Sequence, residues 1–183
     1  MDIFSKLVAG FIALILMMLY PLYQSTVRHD NQIQTVVHQT VTEFVDAVRT
    51  KGYISPEMYL QFNKKLGETG NVYDVTLEHM HKKYNPVYSD PANPATFQNS
   101  FDTYYEGHYT EEIMKVLFPE TNIPADNDSR KYKLALNDFI TVSVKNKNRT
   151  MSTIMQDFIL VGNSGDVPKI YMNYGGMVLN EDY

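Results

Sequence analysis

The chain of 183 residues contains no cysteine. That absence removes disulfides, thiolate catalysis and cysteine-based metal sites together, while leaving the redox compartment open. Stability must come from packing. An excess of positive charge is missing too: the formal net charge is −5, and because Asp2 and Lys6 cancel near the N-terminus the deficit falls on the polar remainder. Nucleic-acid affinity comes largely from Lys and Arg neutralising phosphates, so nucleic acid is set aside as a partner. Catalytic signatures are also lacking, with no Gly-rich phosphate loop, HExxH, G-x-S-x-G or clustered acid triad. The sequence therefore reads as a non-enzyme with no cofactor and no metal.

What is present begins with a long apolar run. Leu7 to Tyr23 reads LVAGFIALILMMLYPLY without a charge, at the short end of what crosses a hydrocarbon core of roughly 30 Å. A secretory signal is the rival reading, since Lys6 precedes the run, but no good small-x-small cleavage site follows it. A buried core helix fits less well, because the run is apolar all round and gives way abruptly to polar sequence. The expectation is a single-pass anchor in the cell membrane, with the lipid bilayer as its first partner. Tyr20, Pro21 and Tyr23 suit a kinked exit at the interface. Lys6 and Arg28 give almost no charge bias, and the short N-terminal tail favours an extracellular soluble domain.

Beyond the anchor, Ile33, Val37, Val41, Phe44 and Val48 recur every three or four residues between polar ones, predicting an amphipathic helix over Gln24 to Lys51 that Gly52 stops. Such a helix, about 42 Å long, is expected to act as a stalk. Ser55-Pro56-Glu57 then supplies an N-cap and first turn for a helix bearing Met58, Phe62 and Leu66. From Val72 the period becomes two, placing Tyr73, Val75, Leu77, His79 and His81 on one face of a strand. Asn85 to Asp102 lacks a period and is read as a long loop. Thr110-Glu111-Glu112 opens a helix that Pro119 ends, and Pro124 to Arg130 is a second loop. Ile140, Val142 and Val144 mark a strand after Asp138. Thr150 caps a helix carrying Met151, Ile154, Met155 and Phe158, with its methionines expected in the core. Lys169 to Leu179 is a strand broken by Gly175-Gly176. The predicted class is α+β: residues 1–23 as short leader and membrane anchor, 24–52 as helical stalk, and 53–183 as an extracytoplasmic head of about three strands with covering helices.

Three clusters invite a chemical reading. His79 and His81 share a strand face, with Glu78 next to His79 in sequence, and could ligate one metal if a third ligand such as His108 came near; continuation of the core face to the sheet rim is the favoured alternative. Asp126-Asn127-Asp128 resembles the opening of a calcium loop but lacks the later Gly and Glu, and is expected to be a turn. Tyr104-Tyr105-Glu106-Gly107-His108-Tyr109 offers either a contact patch or tyrosines packed on the domain's own edge.

The apolar helix FIALILMMLYP, the amphipathic TVVHQTVTEFVDAVRTKGYIS, then TGNVYDVTLEHMHKKYNPVY, LNDFITVSVKNKNRT and YMNYGGMV together resemble the TadE-like proteins and pseudopilins found with tight-adherence (Flp-type) pilus genes of Gram-positive bacteria. The resemblance implies a structural or assembly subunit of a type IV or Tad-like pilus or related secretion apparatus, with other pilin-like subunits or assembly membrane proteins as partners. It also implies a leader cut after a glycine, for which Gly10 followed by Phe11 is the candidate, although Ile15 stands where a glutamate is usual. Part of the stripe Ile33, Val37, Val41, Phe44 and Val48 is then expected to exceed the cover its own head can give and to pack against another subunit. The alternative is a membrane-anchored binding module presenting loops to an extracellular ligand.

Overall fold

The computed structural model describes residues 3–160 and 169–183. In chain order the elements are α1 (Ile3–Lys51), β1 (Tyr53–Ile54), α2 (Pro56–Gly67), β2 (Tyr73–Tyr88), β3 (Phe97–Tyr109), α3 (Thr110–Leu117), β4 (Tyr132–Lys133), β5 (Phe139–Asn146), α4 (Met151–Leu160) and β6 (Tyr171–Met177). The protein is α+β, with one long apolar N-terminal helix and a small head of antiparallel strands.

Helix α1 is a single element of 49 residues that runs through Pro21 without ending, about 74 Å at 1.5 Å per residue. Its two halves differ. Over Ile3 to Leu22 the large apolar side chains are exposed apart from half-buried Leu19, whereas Asp30, Ile33, Val37, Thr40, Val41, Phe44, Val45 and Val48 are buried. The whole sequence-read stripe is therefore covered by the chain's own head, against β5, β6 and α2. This corrects the expectation of a stalk with uncovered stripe: the second half of α1 is the central core helix. The reason lies in the sheet, which has four strands rather than about three, in the order β3-β2-β5-β6. The added strand β3 lies at the edge away from α1, and it is β5 and β6, with α2, that pack on the helix and cover its stripe.

The sheet's inward face carries Leu77, His79, Ile140, Val142 and Val144, with Leu77 opposite Val142 and His79 opposite Ile140. Phe62 of α2 stacks on Phe44 of α1, centroids 4.4 Å apart, and Ser55 Oγ accepts from Met58 N at 3.2 Å, the cap the sequence foretold. Strands β1 and β4 form a separate two-stranded pair.

Two more expectations need correction. Most of the supposed loop Asn85 to Asp102 is strand: β2 continues to Tyr88, β3 begins at Phe97, and Asn85 pairs with Asp102. Only residues 89–96 turn, tied by Thr96 Oγ1 donating to Asp90 O at 2.9 Å. The hairpin is exposed on both faces, so no apolar period marked it. Strand β6 is likewise continuous through Gly175 and Gly176, which pair with Thr141 and Ile140. A Cβ on Gly176 would lie 2.7 Å from the Arg49 guanidinium, whose Nε donates to Met177 O at 2.9 Å. The glycine makes room for the helix rather than breaking the strand.

The head has a direction along α1. His38 lies against Met172 at the start of β6 and Arg49 against Met177 at its end, so β6 runs away from the apolar end while β5 returns. Strand β2 then climbs from Tyr73, beside Asn146, past Met80, beside Phe139, and the β2–β3 hairpin projects from the end of the head distal to residues 3–22. At that distal end the tail closes over α1, with Leu179 N donating to Arg49 O and Asp182 N to Lys51 O, at 2.8 and 2.9 Å.

Candidate functional site: a histidine cluster and a reversed helix

The period-two run of β2 turns His79 and His81 to one face, as read from sequence. The group that joins them is Asp138, at the entry to β5, reached through Asn137 in the left-handed region at φ 69°. Asp138 is buried and its carboxylate accepts from His79 Nε2 at 2.8 Å, His81 Nδ1 at 2.9 Å, Lys82 N at 2.9 Å and Ala135 N at 2.8 Å. Burial alone would raise this carboxyl, but the hydrogen bonds from His81, the Lys82 amide, His79 and the Ala135 amide outweigh it and hold it below its usual range. An ionised carboxylate only accepts, so the proton sits on His79 Nε2. His79 Nδ1 then accepts from the Tyr132 hydroxyl at 2.7 Å. Burial lowers the His79 imidazole against the pull of Asp138, and burial raises the Tyr132 phenol. With His79 neutral, every donor meets an acceptor.

His108, the third ligand considered from sequence, does come close: its ring stacks on His79 at 5.5 Å. Its Nδ1 is turned to Glu112 Oε2, 2.7 Å away. His79, His81 and Asp138 do offer three ligand types together. However, donor atoms around a tetrahedral zinc at about 2.0–2.1 Å stand about 3.3 Å apart, and the nitrogen–oxygen separations here, 2.8 and 2.9 Å, are those of shared protons. The arrangement works as a hydrogen-bonded clasp between β2 and the loop before β5. Sequence reasoning missed Asp138 and Tyr132 because their roles depend on partners more than 50 residues away, for which no local spacing exists.

The other candidates fall apart by geometry. Asp128 pairs with Lys131 and Lys133, and Asn127 Oδ1 accepts from Ser129 N at 2.9 Å, so the acidic trio forms a turn. The tyrosine-rich segment lies in edge strand β3, not in a loop, with Tyr104, Tyr105 and Tyr109 exposed and Glu106 paired with Lys83. Gly10 and Phe11 lie inside the exposed half of α1, and nothing approaches the space a Cβ on Gly10 would take.

Helix α4 runs beside α1 in the reverse of the usual sense. Its Ser152 and Thr153 are buried, with Ser152 Oγ donating to the buried carboxylate of Asp30 on α1 and Thr153 Oγ1 bonded to Thr150 Oγ1 at 3.0 Å. Met151, Ile154 and Phe158 face outward, 61%, 50% and 70% exposed. Met151 is thus not the core residue its spacing suggested. Between the helices lies a groove of about 470 Å³ lined by Leu16, Leu19, Tyr20 and Tyr23 of α1 with Gln156 and Ile159 of α4.

No protein-family model, no curated protein and no solved structure matches this chain. α1 is long and apolar enough to cross a membrane, by length and composition, and its apolar window is wholly unburied.

Proposed function

We propose that the protein is a single-pass cell-membrane protein, with its head outside, that serves as a structural or assembly subunit of a type IV or Tad-like pilus or related secretion apparatus. The observation that carries the reading is the division of α1: one unbroken helix is bare and apolar over its first half and forms the core of the head over its second. A rigid helix shared between bilayer and head couples lateral packing in the membrane to the position of the head, as an assembly subunit requires. The clasp around Asp138 ties β2 to the loop before β5 and so helps to hold the head together. On this reading the protein acts through its surfaces.

The test uses intact cells and the full chain. Carbonate washing should leave the protein in the membrane, and external protease should cut near Asn93 in the exposed hairpin turn. Because the chain has no cysteine, Leu14→Cys places a single thiol on the bare half of α1, and oxidation should cross-link it to another copy or to a pilin-like partner bearing a matching thiol. Recovery of the protein in the soluble fraction would end the membrane reading. Membrane retention without any helix cross-link favours an anchored binding module, for which the exposed Phe101 at the hairpin is the supporting feature.

A further inference from the structure

We infer that α4 is a second membrane-contacting element: its outward stripe Met151, Ile154 and Phe158 lies in the interfacial zone of the bilayer that α1 crosses, seating the head on the lipid surface. The inference rests on the membrane reading of α1. Three independent observations point to lipid as the occupant.

The first is the reversed polarity of the helix. A surface helix of a water-soluble head turns polar residues outward and apolar ones inward. Here the outward positions are Met151, Ile154 and Phe158, while the buried ones are Ser152 and Thr153. The helix's one charged residue, Asp157, is largely sheltered and paired with Arg149. Buried polar groups satisfied among themselves, with apolar groups outside, suit a surround that cannot hydrogen-bond.

The second is position. Ser152 meets Asp30, and Ile159 reaches the groove formed by Leu16, Leu19, Tyr20 and Tyr23, so α4 descends along α1 from the base of the head to the end of the apolar run. Tyr20 and Tyr23 are of the type that settles at the headgroup level. A side chain packed beside Leu16 and Leu19 is at that depth or below it.

The third is length. The apolar run Leu7 to Tyr23 has 17 residues, about 25 Å of helix against a hydrocarbon core of roughly 30 Å. A short span draws neighbouring apolar surface down to the bilayer, and α4 is the apolar surface at that end. The groove between the helices is then a place for an acyl chain.

The chain contains no tryptophan, so single substitutions report position by fluorescence in phosphatidylcholine vesicles with and without bromine on the acyl chains. Full-length protein would carry Phe158→Trp, Ile154→Trp on the same stripe, Leu14→Trp in the span, or Leu60→Trp on the outer side of α2, with circular dichroism checking the fold of each. Brominated lipid should quench Phe158→Trp and Ile154→Trp at least half as strongly as Leu14→Trp, and leave Leu60→Trp unchanged. Quenching at Leu14→Trp alone overturns the inference while sparing the membrane reading. Absence of quenching at Leu14→Trp ends both. Blue-shifted, unquenched emission from both stripe positions that depends on the protein-to-lipid ratio would assign the stripe to a second copy of the chain and refute lipid contact.

Discussion

If the second half of α1 is core rather than stalk, the double variant Val37→Ser, Val41→Ser must damage the fold. Both valines are fully buried. Each change removes the equivalent of two apolar carbons, about 1.6 kcal/mol of transfer free energy at ~0.8 kcal/mol per group. A residual void of about 40 Å³ at ~24 cal/mol per Å³ adds about 1 kcal/mol per site. The new hydroxyls can bond to the carbonyl one turn back, as Thr40 Oγ1 already does with Val36 O at 2.8 Å, so they add little further cost. Summed over the two sites this gives about 5 kcal/mol, with coupling of about 0.5–3 kcal/mol in either direction because the pair lies one turn apart, a large share of the ~5–15 kcal/mol of a typical domain. At ~2–4 °C per kcal/mol for a chain of this size, the melting temperature of full-length protein in detergent should fall by about 10–20 °C. Val36→Ser, at the neighbouring exposed position, should change it by no more than ~0.5 kcal/mol. Thermal melts by circular dichroism decide the matter: an unchanged double variant, or an equal loss in Val36→Ser, would refute the central position of α1. By the same logic a chain starting at Ser55 lacks Val37, Val41, Val45 and Val48 and should not melt cooperatively.

His79 is lowered in the folded state by burial, so the unfolded chain binds the extra proton first; its contribution to stability is full above about pH 6.5 and declines as pH falls from there toward the folded value. Asp138 is also lowered, and its contribution is present above about pH 4 and lost below it. Melting temperature against pH should therefore fall in two steps, and His79→Gln should remove the upper one. The double variant His79→Gln, His81→Gln should leave the metal content of dialysed protein at background by elemental analysis; a stoichiometric metal lost in that variant would reverse the reading of the clasp. Gly52→Ala should destabilise by about 1–3 kcal/mol in denaturant titration, because φ is +75° there and a Cβ would fall on the Asn180 carbonyl oxygen.

The features legible in sequence were those whose cause is local. The α1 stripe, the Ser55-Pro56 start of α2 and the alternation in β2 and β5 each record a one-sided environment within a few residues. The β2–β3 hairpin escaped because solvent on both faces erases any alternation, and β6 looks broken in sequence because Gly176 answers to Arg49, on a helix more than 120 residues away, and Gly175 to Ile140 and Thr141 of the neighbouring strand. Asp138 was named only as the residue before a strand. The spacing Met151, Ile154, Met155, Phe158 marks a stripe, but a stripe states only that one side differs from the other; Met151, Ile154 and Phe158 face outward while Met155 is half-buried. Which side faces the protein was decided by Asp30, too distant in sequence to be weighed.

The corrected placement of α1 changes what an assembly partner would meet. A stalk over Gln24 to Lys51 would hold the head about 42 Å clear of the bilayer. Instead the first buried residue of α1 is Asp30, seven residues beyond Tyr23, so the core of the head begins about 10 Å from the end of the apolar run. On the proposed membrane reading, a head so close to the surface could not swing freely, and α4 on the lipid would fix its rotation about α1 as well. The β2–β3 hairpin would then stand at the end farthest from the membrane, and among the described residues no strand pairs with the outer side of β3. An unpaired edge presents a row of backbone donors and acceptors. Subunits held in one orientation by α1 and α4 would all present that edge in the same direction, which allows repeated lateral contacts without any change in the fold of the head.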